Sequence, residues 1–456
     1  MQATATKKEI WTMGSYSLLT LSIMIGFMYL NQFATSVLEV PAAALATAML
    51  IGKSIDFAVS VFAGAIIEKV KLGNKGKNQE WLSKGRWILA IAIAFEVFPT
   101  SGPVIIRLLV MTAAYAVLNS LMNLLQTAYY GINAAVAGPN PANRQAFNVN
   151  MSRQATVVTL ITSFIPTLVT VLDFGKWNYF IVAVAFMIPM PFALGAISKL
   201  ADGKDAPVGA SGDAHQVTAV DMFKALADNK YLLALFITHT VQYIGQFIFQ
   251  GLTAYYWMYV VGNFSMMTTA NLIGAVASFV AAMVMPGIGQ KIGKKKAVTF
   301  GYFLLPVIYL ALGFVGRINF WYLIAVNALG TFAMYTYTPF VMLLYMDAAE
   351  WHFNKTGKDT RGIAVGLATP PMKIGMALGG TIGLTLLANT GFDNIATFTA
   401  EQMAAWVPKF MTITYWVPAG FYLVMAILFV SLYRLSDEEA ARCAQENYAK
   451  MAAAQE

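Results

Sequence analysis

A single cysteine, Cys443, in a chain of 456 residues excludes an intramolecular disulfide. Charge is scarce as well: 11% of residues are Asp, Glu, Lys or Arg, against roughly 25% in soluble domains. With 58% hydrophobic residues and a mean hydropathy of +0.61, an ordinary soluble globule is excluded and a polytopic membrane protein is expected. The three histidines, His215, His239 and His352, lack metal-ligand spacing, so no metal site and no cofactor are expected. The sequence also lacks a Gly-rich loop followed by Lys-Ser/Thr, so ATP is not expected to drive it, and nothing in it reads as an enzyme. No cleavable signal stands out, because the first apolar run is too long and leads into further spans.

What is present is a series of long apolar runs, each near the length of about 20 residues that crosses a bilayer. Twelve can be drawn: 11–37, 42–67, 86–100, 103–135, 152–172, 177–198, 231–260, 265–289, 297–315, 319–346, 361–388 and 405–433. The third is short because Pro99, Gly102 and Pro103 end it. Lysines and arginines gather in alternate connections: Lys69 to Arg86, Lys291 to Lys296, and Lys355 to Arg361. Positive loops stay inside, so both termini are expected in the cytoplasm, in a multi-pass protein of the cell's inner (plasma) membrane. The net charge of +8 sits in these loops, which makes it a topology signal and not a nucleic-acid footprint.

A polar stretch, 199–230, separates six runs from six, and each half carries its basic connection after its second run. This is the pattern of a parallel repeat: an all-α fold of two six-helix bundles, 1–198 and 231–433, joined by a central cytoplasmic loop 199–230, with a solute site expected near the midplane between the halves. The tail 434–456 includes a segment from Ser436 that reads as a capped helix and is expected to be a solvated appendage.

One stretch is unusual for so apolar a chain. Asp347-Ala-Ala-Glu350-Trp351 is followed by Lys355-Thr356-Gly357-Lys358, then Gly362, and then a lone Lys373 ahead of Gly375, Gly379 and Gly380. This string resembles the tenth-to-eleventh helix region of the glycoside-pentoside-hexuronide:cation symporters, the melibiose-permease-like branch of the major facilitator superfamily. AYYGINAAVAGPNPANR at 128–144, NKYLLALFITHTVQYIGQFIFQGLTAYYW at 229–257, GKKKAV at 293–298 and YRLSDEE at 433–439 are similar to other segments of that family, so the likeness covers nearly the whole chain. It implies a twelve-helix facilitator fold and secondary transport of a small solute by alternating access, with the lipid bilayer, the solute and a coupling ion as partners; a monomer is expected.

The family's departures here shape the expected sites. Its sodium-using members carry two aspartates on helix two and a third on helix four; the matching positions here are Asp56 and Ser60, and a place near Thr127. With one acid of three retained, H⁺ is expected as the coupling ion ahead of Na⁺, with Asp56 and Lys373 expected to pair as their family counterparts lie close together. The sugar-binding acid of helix one falls near Thr20, while the arginine of helix five matches Arg153. That combination implies an anionic or neutral solute, and the expected substrate is a sugar, glycoside, sugar acid or related organic anion, with Thr20, Tyr130, Arg153, Tyr337 and Lys373 as the substrate-binding set. Asp347, Glu350, Lys358 and Arg361 are expected to form a cytoplasmic gate, although Arg361 stands where the family often has an acid. Glu96 and Arg107 are expected to be structural, snorkelling or pairing at a membrane edge. An uncoupled facilitator, an amphiphile or lysolipid carrier, and a non-transporting sensor on the same fold remain alternatives.

Overall fold

The computed structural model describes residues 4–138, 140–207, 219–315 and 320–453, and every regular element among them is helical. Ten helical segments are long and apolar enough to cross a membrane. Two further long helices, Lys77–Glu96 and Phe320–Thr356, complete the correspondence with the twelve apolar runs. By its internal contacts the chain divides into two units, Met1–His215 with Gly262–Thr268, and Gln216–Val261 with Thr269–Glu456.

The first unit begins with α1 (Lys7–Gly14), opened by a capping box in which the Thr6 side chain accepts from the Glu9 N–H and the Glu9 carboxylate accepts from the Thr6 N–H at 2.9 Å. Then follow α2 (Ser17–Ser36), α3 (Ala42–Lys69), α4 (Lys77–Glu96), α5 (Val104–Ala137), α6 (Pro141–Thr162), α7 (Ile165–Val171), α8 (Asn178–Met187) and α9 (Pro189–Leu200). The fifth and sixth apolar runs are each a pair of helices, broken ahead of Pro166 and Pro189, where a proline cannot continue the hydrogen-bond ladder.

Several boundaries differ from the sequence reading; the helix of the fifth run, for one, starts at Pro141 and not at 152. The third helix starts at Lys77, nine residues before the expected 86, because its first turn is anchored from afar: Asp205 accepts from the Gln79 N–H and from Asn78 Nδ2, each at 2.8 Å, and Lys77 N–H donates to the Ala206 carbonyl at 3.0 Å. A carboxylate at a helix N-terminus is favoured by the helix dipole. Arg86 therefore belongs to the helix and not to a basic loop; its guanidinium donates to the Pro191 carbonyl at 2.8 Å and lies over Gly195, where only a hydrogen leaves room for it.

The second unit comprises α10 (Ala219–Asp228), α11 (Lys230–Tyr255) extended by a π-helical turn Tyr256–Val260, α12 (Met266–Ile292), α13 (Lys294–Val315), α14 (Phe320–Thr356), α15 (Arg361–Gly366), α16 (Pro370–Asn389), α17 (Ala400–Met411), α18 (Val417–Leu432) and α19 (Asp437–Ala453). α14 runs ten residues past the expected end of the tenth span, so Asp347, Glu350 and Lys355 stand on a helix and not in a loop. Pro370 and Pro371 break the eleventh run and place Lys373 in the first turn of α16.

α11 and α16 cross in close contact. Gly375, Gly379 and Gly383 recur every fourth residue on one face of α16. A Cβ on Gly375 would lie 2.8 Å from the Tyr243 carbonyl carbon, and one on Gly379 would lie 2.5 Å from the Ile244 carbonyl oxygen. The contact is backbone against backbone, as small-residue stripes permit between membrane helices.

Candidate functional site

Among the described residues of the first unit, Lys53 and Asp56 on α3 and Glu80 and Glu96 on α4 are buried charged side chains, Glu96 at the last turn of its helix. Asp56 is 1% exposed. Asn123 of α5 donates its amide to Asp56 Oδ1 at 2.5 Å and reaches the Asp56 carbonyl at 3.4 Å. Lys53 stands one helical turn before Asp56, the spacing at which opposite charges meet on a helix face, and lies within electrostatic reach of it. Tyr115 of α5 lies within electrostatic reach of both Asp56 and Glu96. Gly52 leaves the space for that ring, since a Cβ there would lie 2.9 Å from Tyr115 Cδ1. The Glu96 carboxylate lies against Gly26 of α2, where a Cβ would come within 2.7 Å of its Oε1.

Ser60 and Thr127, expected beside Asp56, turn into their own helices: Ser60 donates to the Phe57 carbonyl at 2.7 Å and Thr127 to the Asn123 carbonyl at 2.8 Å. Sequence reasoning missed Asn123 as the helix-four partner, although it sits one turn before Thr127 on the same face. Glu96, expected at a membrane edge, is only 2% exposed and faces the bundle interior. Arg107, in the first turn of α5, donates to the carbonyls of Gly102 at 2.8 Å and of Leu38.

The residues expected to touch solute in this unit, Thr20, Tyr130 and Arg153, fall on α2, α5 and α6. Arg153 is exposed on α6, and with it Gln145, Asn148, Ser152, Thr156 and Thr159, which recur at helical spacing as a polar stripe. Tyr130, at the end of α5, is 53% exposed and its ring lies 5.6 Å from that of Tyr129, which in turn stacks on Tyr16 at 3.9 Å. Thr20 is half-buried on α2, one turn beyond Tyr16.

In the second unit Tyr337 is buried and its hydroxyl accepts from Gln242 Nε2 at 2.7 Å. Tyr337 adjoins a polar core around His239, whose two ring nitrogens meet the hydroxyls of Tyr345 at 3.0 Å and Tyr302 at 2.8 Å. Among the described residues Gln242 Oε1 and Thr238 Oγ1 are buried there with no hydrogen-bond partner. Lys373 is half-buried. It belongs to the second unit and Asp56 to the first.

The expected gate residues find partners inside the second unit. Asp347 pairs with Lys294 at the start of α13. Burial pushes the Asp347 carboxyl up against the opposing pull of Lys294. Lys358 pairs with Asp228 at 2.8 Å, and that hydrogen bond holds the aspartate below the ordinary carboxylate range. The side chain of Arg361 lies outside the described residues. Glu350 accepts from Asn447 of the tail helix α19 at 2.6 Å, Trp351 Nε1 donates to Glu439 at 3.1 Å, and Asn354 donates to Glu446 at 2.9 Å. The tail is thus docked along the end of α14 with Ala440 and Cys443 buried beneath it, and is not the solvated appendage expected.

Among the described residues no cluster of His, Cys, Asp and Glu could hold a metal ion. The buried ionisable side chains, Lys53, Asp56, Glu96 and His239 among them, are groups that can bind and release protons.

The family profile described as "MFS/sugar transport protein" matches residues 12–437. The chain is 23% identical over 421 residues to the uncharacterized symporter YnaJ of Bacillus subtilis, covering 90% of this chain and 88% of that protein. It is 22% identical to a candidate sulfoquinovose importer of Salmonella typhimurium, covering 93% and 89%. It is 23% identical to the glucuronide carrier protein homolog of Escherichia coli, covering 91% and 89%. Among solved structures, the nucleoside transporter NupG superposes with a TM-score of 0.63 at 14% identity, covering 94% of this chain and 100% of that one, and a D-xylose-proton symporter with 0.63 at 12% identity, covering 93% and 97%. Such likeness, at low identity, speaks for the fold. With the profile spanning nearly all of twelve helices in two units, the chain belongs to the MFS/sugar transport protein family, in the branch of the glycoside-pentoside-hexuronide symporters, and is a multi-pass membrane transporter and not an enzyme.

Proposed function

We propose that the protein carries a small polyhydroxylated organic anion, a sugar acid or sugar sulfonate, across the plasma membrane in symport with a proton. The observation that carries this reading is the exposed polar stripe of α6 with Arg153 beside it. Charged and hydroxyl-bearing side chains inside a membrane span are costly against lipid and belong to a water-filled solute path. A guanidinium on that path offers a two-pronged donor to a carboxylate or sulfonate. The names of relatives agree in chemistry: glucuronide, sulfoquinovose and 2,3-dihydroxypropane-1-sulfonate are all hydroxylated and anionic.

The proton is favoured because Asp56 accepts from the Asn123 amide and stands within electrostatic reach of Lys53, whereas a hard cation such as sodium is held by several oxygen ligands. Alternating access with both termini and the basic connections in the cytoplasm completes the reading. Proteoliposomes test it. An inward proton gradient should drive accumulation of labelled glucuronate or a sugar sulfonate, a sodium gradient should not, and Arg153→Gln should weaken apparent affinity for the anion roughly 10- to 100-fold, the size of one charge-assisted pair. Asp56→Asn should abolish uphill accumulation while leaving solute exchange. Sodium-driven uptake would sink the coupling assignment. One observation favours a second reading, an uncoupled facilitator: Lys53 next to Asp56 gives the acid a built-in counter-charge. Uptake that ignores both gradients selects it.

A further inference from the structure

We propose that the second unit carries a binding site for one anionic phospholipid, in the groove between the first turns of α11 and the end of α18. The groove encloses about 410 Å³. Its wall is apolar: Leu233 and Ile237 stand one turn apart on α11, facing Leu432 of α18, and they are 40%, 37% and 43% exposed. Its upper end is cationic, with Lys230 and Arg434 both lining it and both exposed.

Neither cation is in an ion pair among the described residues. Lys230 Nζ rests over two rings, 4.9 Å from the Tyr231 centroid and 5.1 Å from that of Trp351, and Arg434 Nε donates to the Ser431 carbonyl at 3.1 Å. The acid facing Tyr231, Glu439, is engaged by the Trp351 indole N–H at 3.1 Å. The groove also begins at the N-terminus of α11, where Asn229 caps the N–H groups of Tyr231 and Leu232 but the helix dipole still presents its positive end.

Three properties therefore coincide at the level where two spans emerge from the bilayer: two uncompensated cations, an interfacial Tyr-Trp pair, and an apolar trough beneath. From Lys230 to Ile237 the trough descends about 10 Å along the helix at 1.5 Å per residue. A soluble anion would use the cations and leave the trough empty; a neutral lipid would use the trough and leave the charges unmet. A phospholipid with a monoanionic phosphodiester head satisfies both, and basic pockets between membrane helices are suited to such heads. This inference stands apart from the solute and the coupling ion, since it uses neither.

The test uses the full chain in detergent, mixed with phosphatidylglycerol and phosphatidylcholine of equal acyl length, and reads lipids retained after gentle delipidation by native mass spectrometry. Wild type should retain about one equivalent of the anionic lipid in preference to the zwitterionic one. The exposed pair Lys230→Gln/Arg434→Gln should lower that retention by roughly 25-fold, about fivefold for each interfacial charge. Ile237→Trp, which fills the trough and keeps both charges, should lower it as well. Equal retention of the two lipids by wild type overturns the proposal, and so does retention unchanged in the charge variant. Displacement by inorganic phosphate as effective as by whole lipid would show an anion site without a lipid seat and also overturn it. A dimer that dissociates in the charge variant would assign the groove to a second copy and have the same force.

Discussion

Removing one member of the Lys53–Asp56 pair should harm the protein far more than removing both. Lys53 is 8% exposed and Asp56 is 1% exposed, so neither charge has bulk water to fall back on. Breaking a buried ion pair from one side leaves a desolvated charge and destabilises by about 3–5 kcal/mol, whereas neutralising both partners is often close to neutral. Asp56→Asn keeps an oxygen to accept from Asn123, so the bond now 2.5 Å long survives as a neutral one and its weakening adds only about 1 kcal/mol. Lys53→Gln alone should therefore unfold at lower temperature than wild type by a wide margin, Asp56→Asn likewise, and the double variant should recover most of the loss. The interaction recovered from the four proteins should exceed about 2 kcal/mol, above the scatter of independent sites. Thermal melting in one detergent, read by intrinsic fluorescence, supplies the comparison. If the two single losses simply add in the double variant, Lys53 is not the counter-charge of Asp56 and the electrostatic account of this cluster is wrong.

Three further outcomes follow from the geometry. Gly26→Ala should lower the melting temperature because the new methyl meets the Glu96 carboxylate, and Glu96→Ala added to it should restore stability by vacating that space; a double variant worse than either single would refute the contact. Burial holds the His352 imidazole below its ordinary 6.5, so the unfolded chain takes up this proton first: its contribution to stability is intact above about pH 6.5 and is lost as pH falls toward the lower native value. Hydrogen exchange at residues 349–356 should accelerate across that window in wild type and show no such step in His352→Gln. Trp351→Phe removes the indole donor to Glu439 and Asn447→Ala the amide donor to Glu350, so each should loosen α19 by about 1–2 kcal/mol, seen as faster exchange in 437–450 with the α11 core unchanged; equal acceleration in both regions would mean global unfolding instead.

The spans were legible because hydrocarbon imposes a length and a composition that survive in the sequence alone, and even the breaks at Pro166, Pro189 and Pro370 are local chemistry. The helix starts at Lys77 and the long end of α14 were not, because Asp205 and the tail helix that support them lie far away in sequence. The same distinction runs through the candidate site. Asp56 announces itself as an acid inside an apolar run, and Lys53 lies in plain view three residues earlier. Asn123 does not, because an amide mid-span carries little penalty and only the crossing of α3 with α5 gives it a carboxylate to hold. Ser60 and Thr127 were drawn from likeness to a family position, but a hydroxyl on a helix can always turn to the carbonyl one turn back, and both do. The tail helix reads as solvated because its residues are charged; its buried face, Ala440 and Cys443, is too small to signal itself.

The glycine stripe of α16 sets how this transporter can be built to move. Side chains between helices act as cushions, able to change rotamer and let one helix slide; where peptide meets peptide, as at Gly379 and the Ile244 carbonyl, there is no cushion. α11 and α16 are thereby a single stiff plank. Lys373, two residues before Gly375 and so fastened at its edge, has the reach of its own four-carbon stem and nothing more. Any larger journey of its charge must carry along the His239 core and Gln242 on α11, which makes the timing of that charge a property of the whole plank.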